Sequence, residues 1–171
     1  MTPPPVAPGR TTPRRRALLA AVVLALVLVV TPAARGEADD DESIFVPVWP
    51  CRLVNTQNSA GPLAGGEERF YRMHGNTSAQ GGAAACGIPQ EATALEMSIS
   101  AVNAAGDGYL RVGSVQIALP NATFLNYSEV MNITNTGAVQ VSSNDNSSFR
   151  VKVFGASTHV VVDVFGYYIA A

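Results

Sequence analysis

After residue 38 the chain is interrupted by clusters of Gly, Asn, Ser and Thr at intervals of about 8 to 12 residues, which is too short a spacing for ordinary helices and the usual spacing of strands in a sandwich or barrel. Between these clusters the side-chain period is two. Leu95, Met97, Ile99 and Ala101 alternate with Glu96, Ser98 and Ser100, so Thr93–Val102 is expected as a strand with one buried face. Gly106-Asp107-Gly108 is a turn of residues that tolerate positive φ. Strands are also expected over Ile44–Trp49, Cys51–Thr56, Arg69–Met73, Tyr109–Val112 and Ser114–Leu119, with one or two more between Asn121 and Ile133. The Gly/Ala/Ser-rich stretch Asn76–Ala85 reads as a surface loop. Ala138–Ser143 and Phe149–Phe154 flank a polar turn around Asp145 and are expected to pair as a hairpin. His159–Ile169 is apolar at nearly every position, the pattern of a central strand covered on both faces. The fold class is all-β: a single-domain antiparallel β-sandwich over residues 44–171.

The first 38 residues do not belong to that domain. Met1–Arg16 is Pro-rich and basic, Ala17–Val30 is an unbroken run of 14 apolar residues, and small residues follow around Ala34, Gly36 and Ala38. That order is the pattern of a cleaved signal peptide. The competing reading, a membrane anchor, needs about 20 apolar residues, and this run is shorter and ends at Pro32. The expected location is secreted, periplasmic or at the cell surface, with membrane contact only through the signal segment before cleavage. Residues 39–43 form an acidic tail, since consecutive acids lack the spaced geometry of a calcium loop.

Charge and cysteines narrow the partners. From Asp39 onward six bases face twelve acids, and no basic stripe is present, which excludes a nucleic-acid binder. The two cysteines, Cys51 and Cys86, are expected to form one disulfide in an oxidising compartment. Together with two distant histidines they do not provide the short ligand spacing of a zinc site, so no metal is expected.

Six segments resemble, in order, the motifs of a widespread secreted bacterial β-domain. They are Arg52-Leu53-Val54-Asn55-Thr56, Gly61–Gly66, Cys86-Gly87-Ile88-Pro89, Ala105–Val112, Ala122–Tyr127 and Val161–Tyr168. The last is similar to that family's closing Asp-Val-x-Gly-Tyr-Phe strand. The resemblance covers about residues 47 to 169 and implies a bacterial, exported, single-copy module with no catalytic residue set to carry over. Two departures stand out: Asn55 replaces the family's Asp, and Gln57 stands where the family tends to have Arg.

Catalytic readings find little support. His159 and Asp163 lie four residues apart on one strand, about 13 Å by rise alone, too far to pair. His74 sits beside a Gly-rich loop, no Gly-x-Ser-x-Gly elbow occurs, and the remaining acids stand in no paired motif. Asp163, within an apolar strand, is expected as a structural acceptor rather than a buried acid. Dinucleotide and phosphate-loop motifs are missing, so no cofactor is expected. The five Asn-x-Ser/Thr triplets read as composition rather than glycosylation sites. Aromatic residues supply the candidate ligand contacts: Trp49, Tyr109, Tyr127 and Tyr168. Adjacent Tyr167 and Tyr168 must face opposite sides of their strand. The expectation is a non-catalytic structural or protein-interaction module of the cell envelope or extracellular space. A glycan- or cell-wall-binding module is the alternative, and an exported hydrolase comes third.

Overall fold

The computed structural model describes residues 42–171 apart from Asp145. The expected signal segment, all of the acidic tail before Glu42, and the centre of the Asp145 turn lie outside the described residues. Eight strands are described: β1 (Ser43–Asn55), β2 (Glu68–Tyr71), β3 (Ala94–Val102), β4 (Gly108–Ser114), β5 (Leu125–Tyr127), β6 (Ile133–Gln140), β7 (Phe149–Gly155) and β8 (His159–Ala170). They form two antiparallel four-stranded sheets, ordered β1-β8-β3-β6 and β2-β7-β4-β5. The all-β sandwich read from the sequence is therefore the fold.

Period-two patterning explains the core. Leu95, Met97, Ile99 and Ala101 on β3 are wholly buried, and Val160, Val162 and Val164 of β8 line the same inner face. Leu110, Val151, Val153 and the fully buried Phe149 meet them from the second sheet. Each such side chain contributes about 1.5–3 kcal/mol by leaving water.

Four local expectations are corrected. Ile44–Trp49 and Cys51–Thr56 are not separate strands but parts of β1, whose pairing with β8 is interrupted between Pro47 and Cys51. Ser114–Leu119 is not a strand, because β4 ends at Ser114. Ala138–Ser143 and Phe149–Phe154 do not form a hairpin: β6 pairs with β3, whereas β7 lies between β2 and β4 in the other sheet. The connection still closes like a turn, with Ser142 N–H donating to Ser148 O at 2.9 Å and Ser148 N–H to Tyr71 O at 2.7 Å. A polar turn signal is the same for a hairpin and for an arch between sheets, and only the side chains beyond it choose between them. Finally, β8 is central in its sheet but covered on one face only. Asp163 and Tyr168 are half-buried on the outside, and Phe165 is exposed.

The connection Gly81–Gly82 lies against the edge of β1, so close to the carbonyls of Asn55 and Leu53 that a Cβ on either glycine would collide with backbone. The loop read from the sequence, Asn76–Ala85, holds a single 3-10 turn, Ser78–Gln80, just before these glycines.

Candidate functional site

Trp49 is the only tryptophan in the chain and is 92% exposed. Its position follows from the strand that carries it. Pro47 pairs with Gly166 and Cys51 with Val164, so Val48, Trp49 and Pro50 together oppose the single residue Phe165. A proline has no N–H for the ladder, so the pair Pro47 and Pro50 suits an edge strand and a bulge. Bulges re-aim side chains, and this one turns the indole into solvent.

The bulge is tied down rather than loose. The Cys51–Cys86 disulfide joins it to the loop after β2, with the two Cα atoms 5.5 Å apart. Ala83 N–H donates to Arg52 O at 2.8 Å, and the Gln80 side-chain amide donates to Leu53 O at 3.0 Å and to Arg72 O at 2.8 Å. Gly87 turns the loop at a φ of 69°, in the left-handed region that favours glycine. Between bulge and loop lies an open groove of about 650 Å³, lined by Pro47, Val48, Trp49, Pro50, Cys51, Ala85, Cys86 and Gly87. Apart from the indole N–H, no side chain in that lining offers a hydrogen bond.

The four aromatic candidates do not converge. Tyr168 lies on the outer face of the first sheet, 5.2 Å from the Phe45 ring, with its hydroxyl donating to Glu96 at 3.3 Å. Loss of solvation and the Glu96 carboxylate hold its phenol above the ordinary range. Tyr167 faces inward and packs on the core, so the two neighbours do point to opposite sides. Tyr109 is on the outer face of the second sheet, stacked on Phe154 with centroids 4.6 Å apart and planes 5° from parallel. The Arg111 guanidinium lies over both rings, 4.8 Å from Phe154 and 5.6 Å from Tyr109, and Lys152 lies 5.5 Å from Phe154. Tyr127 is corrected from ligand contact to core residue. It is 4% exposed, and its hydroxyl donates to the carbonyls of Phe154 and Ala156. Its pairing with Gly108 on β4 turns the ring inward, and burial raises its pKa.

Arg52, Asp163 and His159 are engaged in structure. Arg52 holds Asp163 through both carboxylate oxygens, at 2.8 and 2.9 Å, and this hydrogen bonding raises the Arg52 pKa further. Asp163 is thus an acceptor, as expected, but of a side-chain cation that lies 111 positions away in sequence. His159 Nδ1 is 3.1 Å from Thr56 Oγ1, which also accepts the Val160 N–H at 2.9 Å. Asn55 accepts the Gln57 N–H at 3.0 Å and caps the short 3-10 turn Thr56–Asn58. Among the described residues, no three of His, Cys, Asp and Glu converge as a metal site, and no helix is long and apolar enough to cross a membrane.

Sequence reasoning singled out Trp49 but not its groove. The available signal was Pro47-Val48-Trp49-Pro50 itself, two prolines around an aromatic in a strand. The exposed pairs Ile44–Phe45 and Val130–Met131 carried no such signal.

No protein-family model matches the chain, and neither a curated protein nor a solved structure is similar to it. Fold and site define a small all-β sandwich with one disulfide and an exposed aromatic on a tethered edge. The disulfide is compatible with a protein outside the cytoplasm.

Proposed function

We propose that this chain is an exported, non-catalytic protein-interaction module of the envelope or extracellular space, and that Trp49 is its principal contact. One observation carries the reading: the single tryptophan is 92% exposed while mounted on a bulge held by a disulfide. A backbone held in place before binding loses little freedom on binding, and tryptophan is enriched among contacts worth about 2 kcal/mol or more in alanine scanning. The apolar lining favours a protein partner over a sugar. Its side chains offer pyranose hydroxyls no partner beyond the indole N–H, so a sugar would depend on the backbone groups of the lining, whereas an aliphatic or aromatic side chain needs none.

Glycan binding is the second reading, and a different surface favours it. Tyr109, Arg111 and Lys152 combine ring surface with hydrogen-bond donors on the outer face of the second sheet. An exported hydrolase has the least support: His159 is bonded to Thr56, and Asp163 of the same strand is held by Arg52.

The test is retention of envelope proteins and of purified cell-wall glycans by the exported protein, comparing wild type, Trp49→Ala and Tyr109→Ala. Saturable retention of a protein that Trp49→Ala abolishes and Tyr109→Ala leaves intact is the expected result. Saturable glycan binding lost in Tyr109→Ala would put the second reading first. Equal behaviour of all three would sink the assignment of Trp49.

A further inference from the structure

Sheet edges are sites of unwanted pairing, and most edges here carry a safeguard. β1 has Pro47, Pro50, a bulge, and a loop bonded to the carbonyls of Arg52 and Leu53. β2 is four residues long and carries Glu68 and Arg69, and β5 is three residues long. β6 differs. Its eight residues, Ile133–Gln140, run in unbroken register with β3 and contain no proline and no charge.

The Val141 N–H donates to Thr93 O at 3.0 Å, which sets the phase of the β3–β6 ladder. Ile133, Asn135, Gly137 and Val139 then bond to β3, while Thr134, Thr136, Ala138 and Gln140 turn their N–H and C=O groups outward. All four of these outward residues are exposed. The Thr136 N–H is met within its own strand, by Asn135 Oδ1 at 3.0 Å.

The strand is complementary to itself. A two-fold axis through Thr136 sets Thr136 opposite Thr136 and Thr134 opposite Ala138 of a second copy, with about four main-chain bonds exchanged by the Thr134–Ala138 pairs and two more at the axis if Asn135 Oδ1 releases the Thr136 N–H. On the inner side, Asn135, whose amide donates to Phe124 O of its own chain at 2.7 Å, falls opposite Gly137, beside which the Phe124 ring lies, and Ile133 falls opposite Val139. Beside Val139 lies a cavity of about 230 Å³ whose lining includes Ile117, Phe124 and Pro120. Ile117 is 47% exposed, an apolar wall open to solvent in the single chain. The same axis extends the pairing to Met131, which is 58% exposed, beside Val130, which is 95% exposed and held at a φ of 65°, a strained conformation for a β-branched residue.

We propose that β6 pairs with β6 of a second copy across an axis at Thr136, joining two first sheets into one eight-stranded sheet and bringing Ile133 of each copy beside Val139 of the other. The pairing is independent of the Trp49 groove, which lies on β1 at the opposite edge of the same sheet.

The test is sedimentation velocity on the full chain, expressed through a secretory host and purified in the form it is exported. Wild type, Thr136→Lys, Thr136→Glu and an equal mixture of the two variants are compared. Thr136 is exposed, so unchanged thermal melting checks that both variants fold. Wild type is expected to be dimeric at about 100 µM, a concentration that saturates a micromolar interface. Each variant alone is expected to be monomeric, because like charges meet on the axis, and the mixture to regain dimer. A wild type that is monomeric at that concentration overturns the proposal. So does a dimer that both variants leave intact, which would place association elsewhere, or a mixture that stays monomeric.

Discussion

Replacing both Cys51 and Cys86 by alanine would reopen a loop whose ends are 35 positions apart in sequence. In the chain-entropy account, a cross-link of that span removes conformational freedom from the unfolded chain worth about 4 kcal/mol at 25 °C. The folded state loses much less. Both cysteines are only half-buried, and the loop keeps its hydrogen bonds from Ala83 to Arg52 and from Gln80 to Leu53 and Arg72. The cost should therefore fall almost wholly on the unfolded side. For a domain of this size, about 4 kcal/mol is a large share of the whole stability and corresponds to a fall in Tm of roughly 10–20 °C. The assay is urea unfolding followed by far-ultraviolet circular dichroism, comparing wild type, the double variant and reduced wild type. The m-value should rise in the double variant and in reduced wild type, since a chain without the cross-link exposes more surface when unfolded. A loss below about 1 kcal/mol with an unchanged m-value would refute the loop-closure reasoning.

Tyr71 is 5% exposed, and burial pushes its phenol up to about 12 from an unfolded value of 10.0. A raised tyrosine pKa favours the neutral form, so this contribution is intact below pH 10 and is lost as pH rises from 10 towards 12, to the extent of about 2–3 kcal/mol. Tyr71→Phe should flatten most of that alkaline slope in denaturant titrations between pH 8 and 11.5, and an identical slope in the variant would contradict this. Glu67 accepts the Ala64 N–H at 2.8 Å and pairs with Arg69 at 2.5 Å, and these bonds, the backbone one first, hold its pKa below 4.5. Its contribution is present above that pH and lost as pH falls through the lower folded value. Glu67→Gln should therefore cost up to about 1 kcal/mol at pH 7, since the site is partly solvated, with the gap closing in acid. Trp49, exposed in the folded state, should emit like a hydrated indole and shift little on unfolding, so a blue-shifted native spectrum would mean that the groove is closed or occupied.

The legible part of the fold came from patterns with short reach. The alternation over Thr93–Val102 gave β3 and its buried face correctly, because a period of two is a property of the strand itself. The closing strand was recognisable from His159–Ile169 and became central β8, flanked by β1 and β3. Its outer face was misread. An apolar run shows that burial is available, and whether a second layer exists to supply it depends on the other elements. The Ala138–Phe154 hairpin failed for a similar reason: two strands joined by a polar turn pair only if their apolar faces belong to the same sheet, and here those faces meet across the sandwich.

The sequence by itself determined the composition of strands, the disulfide pair and the presence of one tryptophan between two prolines. These follow from local periodicity, from an even cysteine count, and from the missing N–H of proline. Only the tertiary structure decided that Tyr127 is core, that Tyr109 stacks with Phe154 beneath Arg111, that Arg52 and Asp163 meet, and that β6 is the long unguarded edge. Each of these depends on which strands become neighbours. That choice is made by summed burial across two sheets and leaves no mark within a dozen residues of the side chain concerned.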